Sequence, residues 1–358
     1  MADTPLLGML GFYHTGWNMP DQHIAFPVVE PVVVGPEPWP GHSIEEVGER
    51  VRLLREQFPQ MKIHIRLQYK GHQAFPSQDN EAEREEFQDR CVEAARNAHL
   101  KHHAEIWIIS NEPNIANEGS VTAEWAARVI NGGTGGDNIV QSLRDWQRGG
   151  LERPRKIFAP APAPFDPTIG EQEDAYRLSW DSHPWLNYTY SFFKRLRENG
   201  NVESRRIDGV CAHVASRIGA DGTANLGRME PRRPVREDTY GSQFGTQCIY
   251  EFMDIVNRIA PEWPVLVDEF TSFMDGVGPR TNYPRGLLFN MVRTIDTAIN
   301  ATPYASRKLR CEGLCWFIGR SGVGSPWDET SLQSLVERPT PVGLDLIAEY
   351  NNLVDYFS

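Results

Sequence analysis

At 358 residues the chain is long enough for one large α/β barrel or for two average domains, and length alone does not choose between them. Its 40% hydrophobic and 23% charged content is that of an ordinary soluble globular enzyme. A net charge of −12 argues against nucleic acid as a partner, and no stretch approaches the roughly 20 apolar residues of a membrane span.

The start, Met1-Ala-Asp-Thr-Pro-Leu-Leu-Gly8, lacks the basic residues and long apolar core of a signal peptide, so the expectation is a cytoplasmic protein with no membrane association. Strand-like apolar runs then follow one another at Leu6–Phe12, Val28–Val34, Met61–Leu67, Glu105–Ser110, Lys156–Pro160, Ile207–Val214, Val265–Asp268 and Gly313–Ile318. Helical patterns separate most of them, at about 43–58, 80–99, 122–147, 184–198, 242–259, 285–299 and 341–356. Ser43 followed by Glu46 forms the capping-box signature that opens the first helix. The Gly-rich stretch Asn131–Gly136 has no lysine and no preceding strand, so it predicts a loop or helix interruption rather than a phosphate cradle. Buried strands alternating with helices predict a parallel sheet, and eight such units match a single (β/α)₈ TIM barrel over 1–358 with elaborated loops at the C-terminal face. A doubly wound open sheet is the competing architecture.

The five cysteines (Cys91, Cys211, Cys248, Cys311, Cys315) are odd in number and scattered, mostly within apolar patterns, which suits free thiols. Cys311 and Cys315 have no second Cys or His pair nearby, so neither a metal nor another cofactor is expected.

In a barrel of this kind the chemistry sits at the C-terminal ends of the strands. Those ends carry polar and aromatic residues: His14 after the first, Arg66 and Gln68 at the third, Asn111-Glu112-Pro113 after the fourth, His213 at the sixth, Asp268-Glu269 at the seventh and Trp316 at the eighth. A carboxylate ending a buried strand is a costly placement unless chemistry uses it, and here two separate strands end that way. Glycoside hydrolysis needs two carboxyl groups, one protonated to assist the leaving oxygen and one ionised to meet the developing positive charge. Regular strand alternation puts Glu269 with Val265 and Val267 on one face and Asp268 with Leu266 on the other.

Asn-Glu-Pro after a fourth strand, Glu after a seventh and Trp ending the last one together resemble the retaining glycosidases of glycoside hydrolase clan A, and the strand pattern carries that resemblance over nearly the whole chain. The resemblance implies Glu112 as general acid/base, Glu269 as nucleophile, Asn111 as the partner of the sugar 2-hydroxyl and Trp316 as the floor of the reacting subsite. His213 and Arg66 are looser matches of the same kind. Where the clan often places a tyrosine near the nucleophile, Val214 and Ala215 follow His213, which leaves Tyr240 in the next loop as a substitute. The substrate class it implies is a β-linked glycoside, oligosaccharide or polysaccharide.

Each of these residues also has a structural reading. Glu112 suits a helix start, Asn111 a helix cap, Glu269 an ion pair with Arg66 or Arg320, and Trp316 plain core. The loop tryptophans Trp17, Trp39, Trp180, Trp185 and Trp327 are either sugar platforms or packing for long loops. A non-catalytic carbohydrate-binding barrel and a metal-assisted barrel hydrolase are the alternative functions, and the scarcity of clustered His and Asp ligands counts against the second.

Overall fold

β-branched runs become parallel strands and the amphipathic stretches between them become helices, giving the α/β class expected from the pattern. The computed structural model describes residues 10–13, 28–115, 118–133, 138–148, 155–164, 184–218, 224–225, 248–274, 287–300, 311–316, 348–349 and 352. The chain packs as two units, Val29–Cys211 with Asp254–Pro264, and Met1–Val28 with Ala212–Met253 and Val265–Ser358. Among the described residues no helix is long and apolar enough to cross a membrane.

The first of these units is built on β2 (Val28–Val33), β3 (Ile63–Gln68), β4 (Ala104–Ile109) and β5 (Lys156–Ala159), adjacent in that order. β3 and β4 are parallel, with Ile65 opposite Trp107 and Arg66 opposite Ile108. β4 and β5 are parallel with Ile108 opposite Phe158, and Phe158 in turn faces Gly209 at the start of β6 (Gly209–Ile218). A Cβ on Gly209 would lie 2.4 Å from the Phe158 ring, so only glycine admits that packing. Every residue of β2 and β3 is buried on both faces, the pattern of a parallel sheet covered by helices.

Helix α1 (Ile44–Gln57) starts at the expected capping box, with the Glu46 amide donating to Ser43 Oγ and the Ser43 amide donating to Glu46. Its Ile44, Val47, Val51 and Leu54 face the core. The single helix expected over 80–99 is instead α2 (Glu81–Arg96) and α3 (Ala98–His103). Asn97 divides them because its side chain accepts from the His99 and Leu100 amides, offering the backbone a cap in place of continuation. The stretch 122–147 is α4 (Ala123–Asn131) and α5 (Ile139–Arg148), broken at Gly132 where the glycine-rich run led to the expectation of a loop or helix interruption. The unit closes with α6 (Pro184–Asn199), where Trp185, expected in a loop, is a buried helix residue.

The second unit holds β1 (Leu10–Tyr13), β9 (Cys311–Trp316), β8 (Val265–Met274) and the part of β6 from Ala212 onward. β1 and β9 are parallel, with Phe12 opposite Trp316. β6 continues past its expected end and pairs antiparallel with the two-residue β7 (Ala224–Asn225). Helix α8 (Leu287–Asn300) buries Met291, Val292, Ile295 and Ile299, while α7 (Cys248–Ile259) runs from this unit into the other. β8 and β9 are parallel but not regular: Val267 faces Leu314 while Phe270 faces Trp316, so β8 carries one extra residue between them. That extra residue is a β-bulge at Asp268–Glu269.

Candidate active site

β3, β4 and β5 run parallel in the first unit, as do β1, β9 and β8 in the second, and the C-terminal ends of parallel strands are where an α/β fold of this kind carries its chemistry. In the first unit the apolar strand β4 ends at Ile109, and the backbone then leaves regular geometry. Ser110 has φ 75° and Glu112 φ 23°, both positive in residues other than glycine. Such conformations cost free energy and persist where surrounding contacts impose them. Ser110 supplies those contacts: its amide donates to Leu67 O at 2.7 Å and its hydroxyl donates to Ala74 O at 2.5 Å. Two residues beyond Glu112, the buried Asn114 side chain donates to Ala163 O at 2.9 Å and accepts from Ala163 N at 2.7 Å, tying the turn to the segment after β5.

The turn so held presents Asn111 and Glu112, only 6% and 7% exposed. Asn111 Oδ1 is buried and, among the described residues, has no hydrogen-bond partner, an arrangement proteins rarely leave without a use. Arg66 and Gln68 lie on one face of neighbouring β3, both buried, and Gln68 Oε1 is a second buried oxygen with no partner. This unit therefore brings Asn111 and Glu112 to the end of β4 and Arg66 to the adjacent strand.

In the second unit His213 of β6 meets two carboxylates. Its Nε2 lies 3.5 Å from Asp268 Oδ1 and 3.7 Å from Glu269 Oε1, with side-chain exposures of 3%, 1% and 15% for His213, Asp268 and Glu269. The alternation expected from the sequence put the two acids on opposite faces. The bulge in β8 corrects that, turning both toward one imidazole. Trp316 is the last residue of β9, in register with Phe12 of β1 and Phe270 of β8. His14 and Tyr240, the remaining candidates, lie outside the described residues, as do Trp17, Trp180 and Trp327.

Asn114 was not singled out from the sequence, although it was legible as one more polar residue in the run Asn111-Glu-Pro-Asn114; Asp268 was noted beside Glu269 but set on the opposite face by assuming a regular strand. Trp39, after β2, packs edge-on against His42 and His72. Gly71 lies against it so closely that a Cβ would sit 2.3 Å from the indole Nε1. All five cysteines are free, and burial pushes the Cys91 and Cys311 thiols well up, so they stay protonated and are poor metal ligands.

Comparison of sequences finds no matching family model and no matching relative among curated proteins. Comparison of structures finds glycoside hydrolases. Xylanase 10B from Thermotoga maritima superposes with a TM-score of 0.51 at 13% identity, covering 98% of this chain and 97% of that one. A GH5-4 broad-specificity endoglucanase from Clostridium cellulovorans gives 0.51 at 12% identity over 97% and 94%. A fungal β-1,4-galactanase gives 0.50 at 12% identity over 86% and 83%. These likenesses show the fold: an α/β chain of the (β/α)₈ barrel type shared by clan A glycoside hydrolases. They span several families of that clan and single out none.

Proposed function

We propose that the chain is one catalytic barrel domain that hydrolyses β-linked glycosides with retention of configuration, through a covalent intermediate on Glu269. Glu112 is the general acid/base. In the first step the Glu112 carboxyl gives its proton to the glycosidic oxygen while a Glu269 oxygen bonds to the anomeric carbon and the aglycone leaves. In the second, Glu112 takes a proton from water, the water oxygen bonds to the same carbon, and the Glu269 carboxylate is released. Two displacements at one centre restore the original anomeric configuration. Asn111 holds the sugar 2-hydroxyl, and Trp316 supports the reacting ring.

One observation carries this reading. Asn111 and Glu112 are buried at the end of β4 on a backbone held in positive φ, with a carbonyl oxygen left open, in a fold whose strand ends host chemistry. The Asn-Glu-Pro resemblance and the barrel fold support the same assignment, and the partly exposed Glu269 carboxylate beside His213 supplies a second acid able to reach a substrate. A panel of aryl β-glycosides, with proton NMR of the first-formed sugar anomer, tests it. Release of the β-anomer is expected. Release of the α-anomer would overturn retention, an absence of turnover on every member would favour a carbohydrate-binding protein, and activity lost to a chelator would favour metal-assisted hydrolysis.

A further inference from the structure

Two acids adjacent in a regular strand point to opposite faces, yet Asp268 and Glu269 both lie within 4 Å of the same His213 nitrogen. The extra residue in β8 is what allows it. Bulges interrupt the ladder of strand hydrogen bonds and recur where a side chain must be re-aimed beside an active site. Carboxylates near one another repel unless a cation offsets them, and an imidazole within 4 Å of both is placed to be that cation when protonated. Both Nε2–oxygen distances exceed the 2.7–3.2 Å of a well-formed N–H···O bond, so neither carboxylate takes the imidazole to itself through one short bond.

The three groups differ in access. Asp268 is 1% exposed, whereas Glu269 is 15% exposed. We propose that Asp268 is a positioning residue: acting through His213, it keeps the imidazole protonated at working pH, so that a cation stands beside Glu269 and holds its carboxylate ionised and aimed. This inference rests on Glu269 being the nucleophile and deepens that reading by assigning Asp268 and the bulge a part in it.

The test reads His213 directly. Its imidazole resonance is identified in the NMR spectrum as the one lost in His213→Gln. An opposite charge within about 4–6 Å shifts a titration by roughly 1–3 units, so the His213 titration should fall by about one unit or more in Asp268→Asn. On an aryl β-glycoside at neutral pH, kcat of that variant should fall at least about tenfold with KM within about threefold, because Asp268 does not touch the sugar. Adding Asp268→Asn to His213→Gln should cost little further, since the path from Asp268 to Glu269 is already cut. An unmoved His213 titration, or losses that simply add in the double variant, would overturn the proposal. Azide rescue of Glu269→Gly tests the underlying catalytic reading separately. If azide fails while the titration shifts, the nucleophile assignment falls and the Asp268–His213 pairing stands. If azide rescues and the titration does not move, the positioning role falls alone.

Discussion

Truncating Asn111 separates a residue kept for chemistry from one kept for stability. Its Oδ1 is buried without a hydrogen-bond partner among the described residues, so its desolvation is not offset by any of them. Leaving such a group unmade costs about 1–3 kcal/mol. Asn111→Ala removes that cost, and loses packing worth about 1 kcal/mol in return. The net is near zero or stabilising, and the melting temperature should stay within about 2 °C of wild type or rise. Activity should behave differently. A contact to the 2-hydroxyl tightens as charge develops at the anomeric carbon, and a loss of about 2.7 kcal/mol there is two decades in rate at about 1.36 kcal/mol per decade. We therefore expect kcat down about a hundredfold with a smaller change in KM. The assay pairs an aryl β-glycoside with its 2-deoxy analogue. Wild type should discriminate strongly against the analogue and Asn111→Ala should not. An unchanged 2-deoxy penalty together with a melting temperature lowered by more than about 5 °C would make Asn111 a structural cap with no contact to the 2-hydroxyl.

Glu112→Ala should slow glycosides with poor leaving groups by several decades and those with activated phenolates far less, and its pH–rate profile should lose the alkaline limb; equal losses on both classes with the bell intact would point to a structural role. Burial holds the His42 imidazole below its ordinary value, while unfolding returns it to about 6.5. The unfolded state then binds the proton more readily, so stability is full above about pH 6.5 and is lost as pH falls through that value toward the folded one. His42→Gln should flatten that part of the urea-midpoint profile between pH 7.5 and 5.5, and an unchanged slope would contradict the assignment. Gly48→Ala, in the middle of α1, should destabilise despite a helix-propensity gain of about 1 kcal/mol. The new Cβ would meet Asn97 Oδ1 at 2.7 Å, and that side chain is fixed as the cap of α3; a raised unfolding midpoint would show that Asn97 yields freely.

The strands were legible because parallel barrels bury both faces of each, and runs such as Ile106–Ile109 have no other reading. Glu112 stood out for the same reason, as a charge ending an apolar run. What escaped was local departure from period. Asn97 breaks a helical pattern that hydrophobic spacing alone carries straight through, since the break is made by a side-chain cap; the break at Gly132, by contrast, was legible in the glycine-rich run Asn131–Gly136. The bulge at Asp268–Glu269 has no signature in Val265-Leu-Val-Asp-Glu-Phe270, because it is set by the register against β9, a strand some forty residues downstream. One misplaced residue in a strand inverts every side chain after it, which is why Asp268 read as facing away from the site it borders.

If Glu269 forms the covalent bond to the anomeric carbon, Glu269→Gly removes the nucleophile and leaves the general acid in place. The variant should fold, as shown by an unchanged circular dichroism spectrum, and should fail to turn over an activated aryl β-glycoside. Added sodium azide should restore reaction by attacking the anomeric carbon where the carboxylate is missing, and NMR of the product should show an α-glycosyl azide. Wild-type turnover in Glu269→Gly without azide, or a β-configured azide product, would contradict the claim.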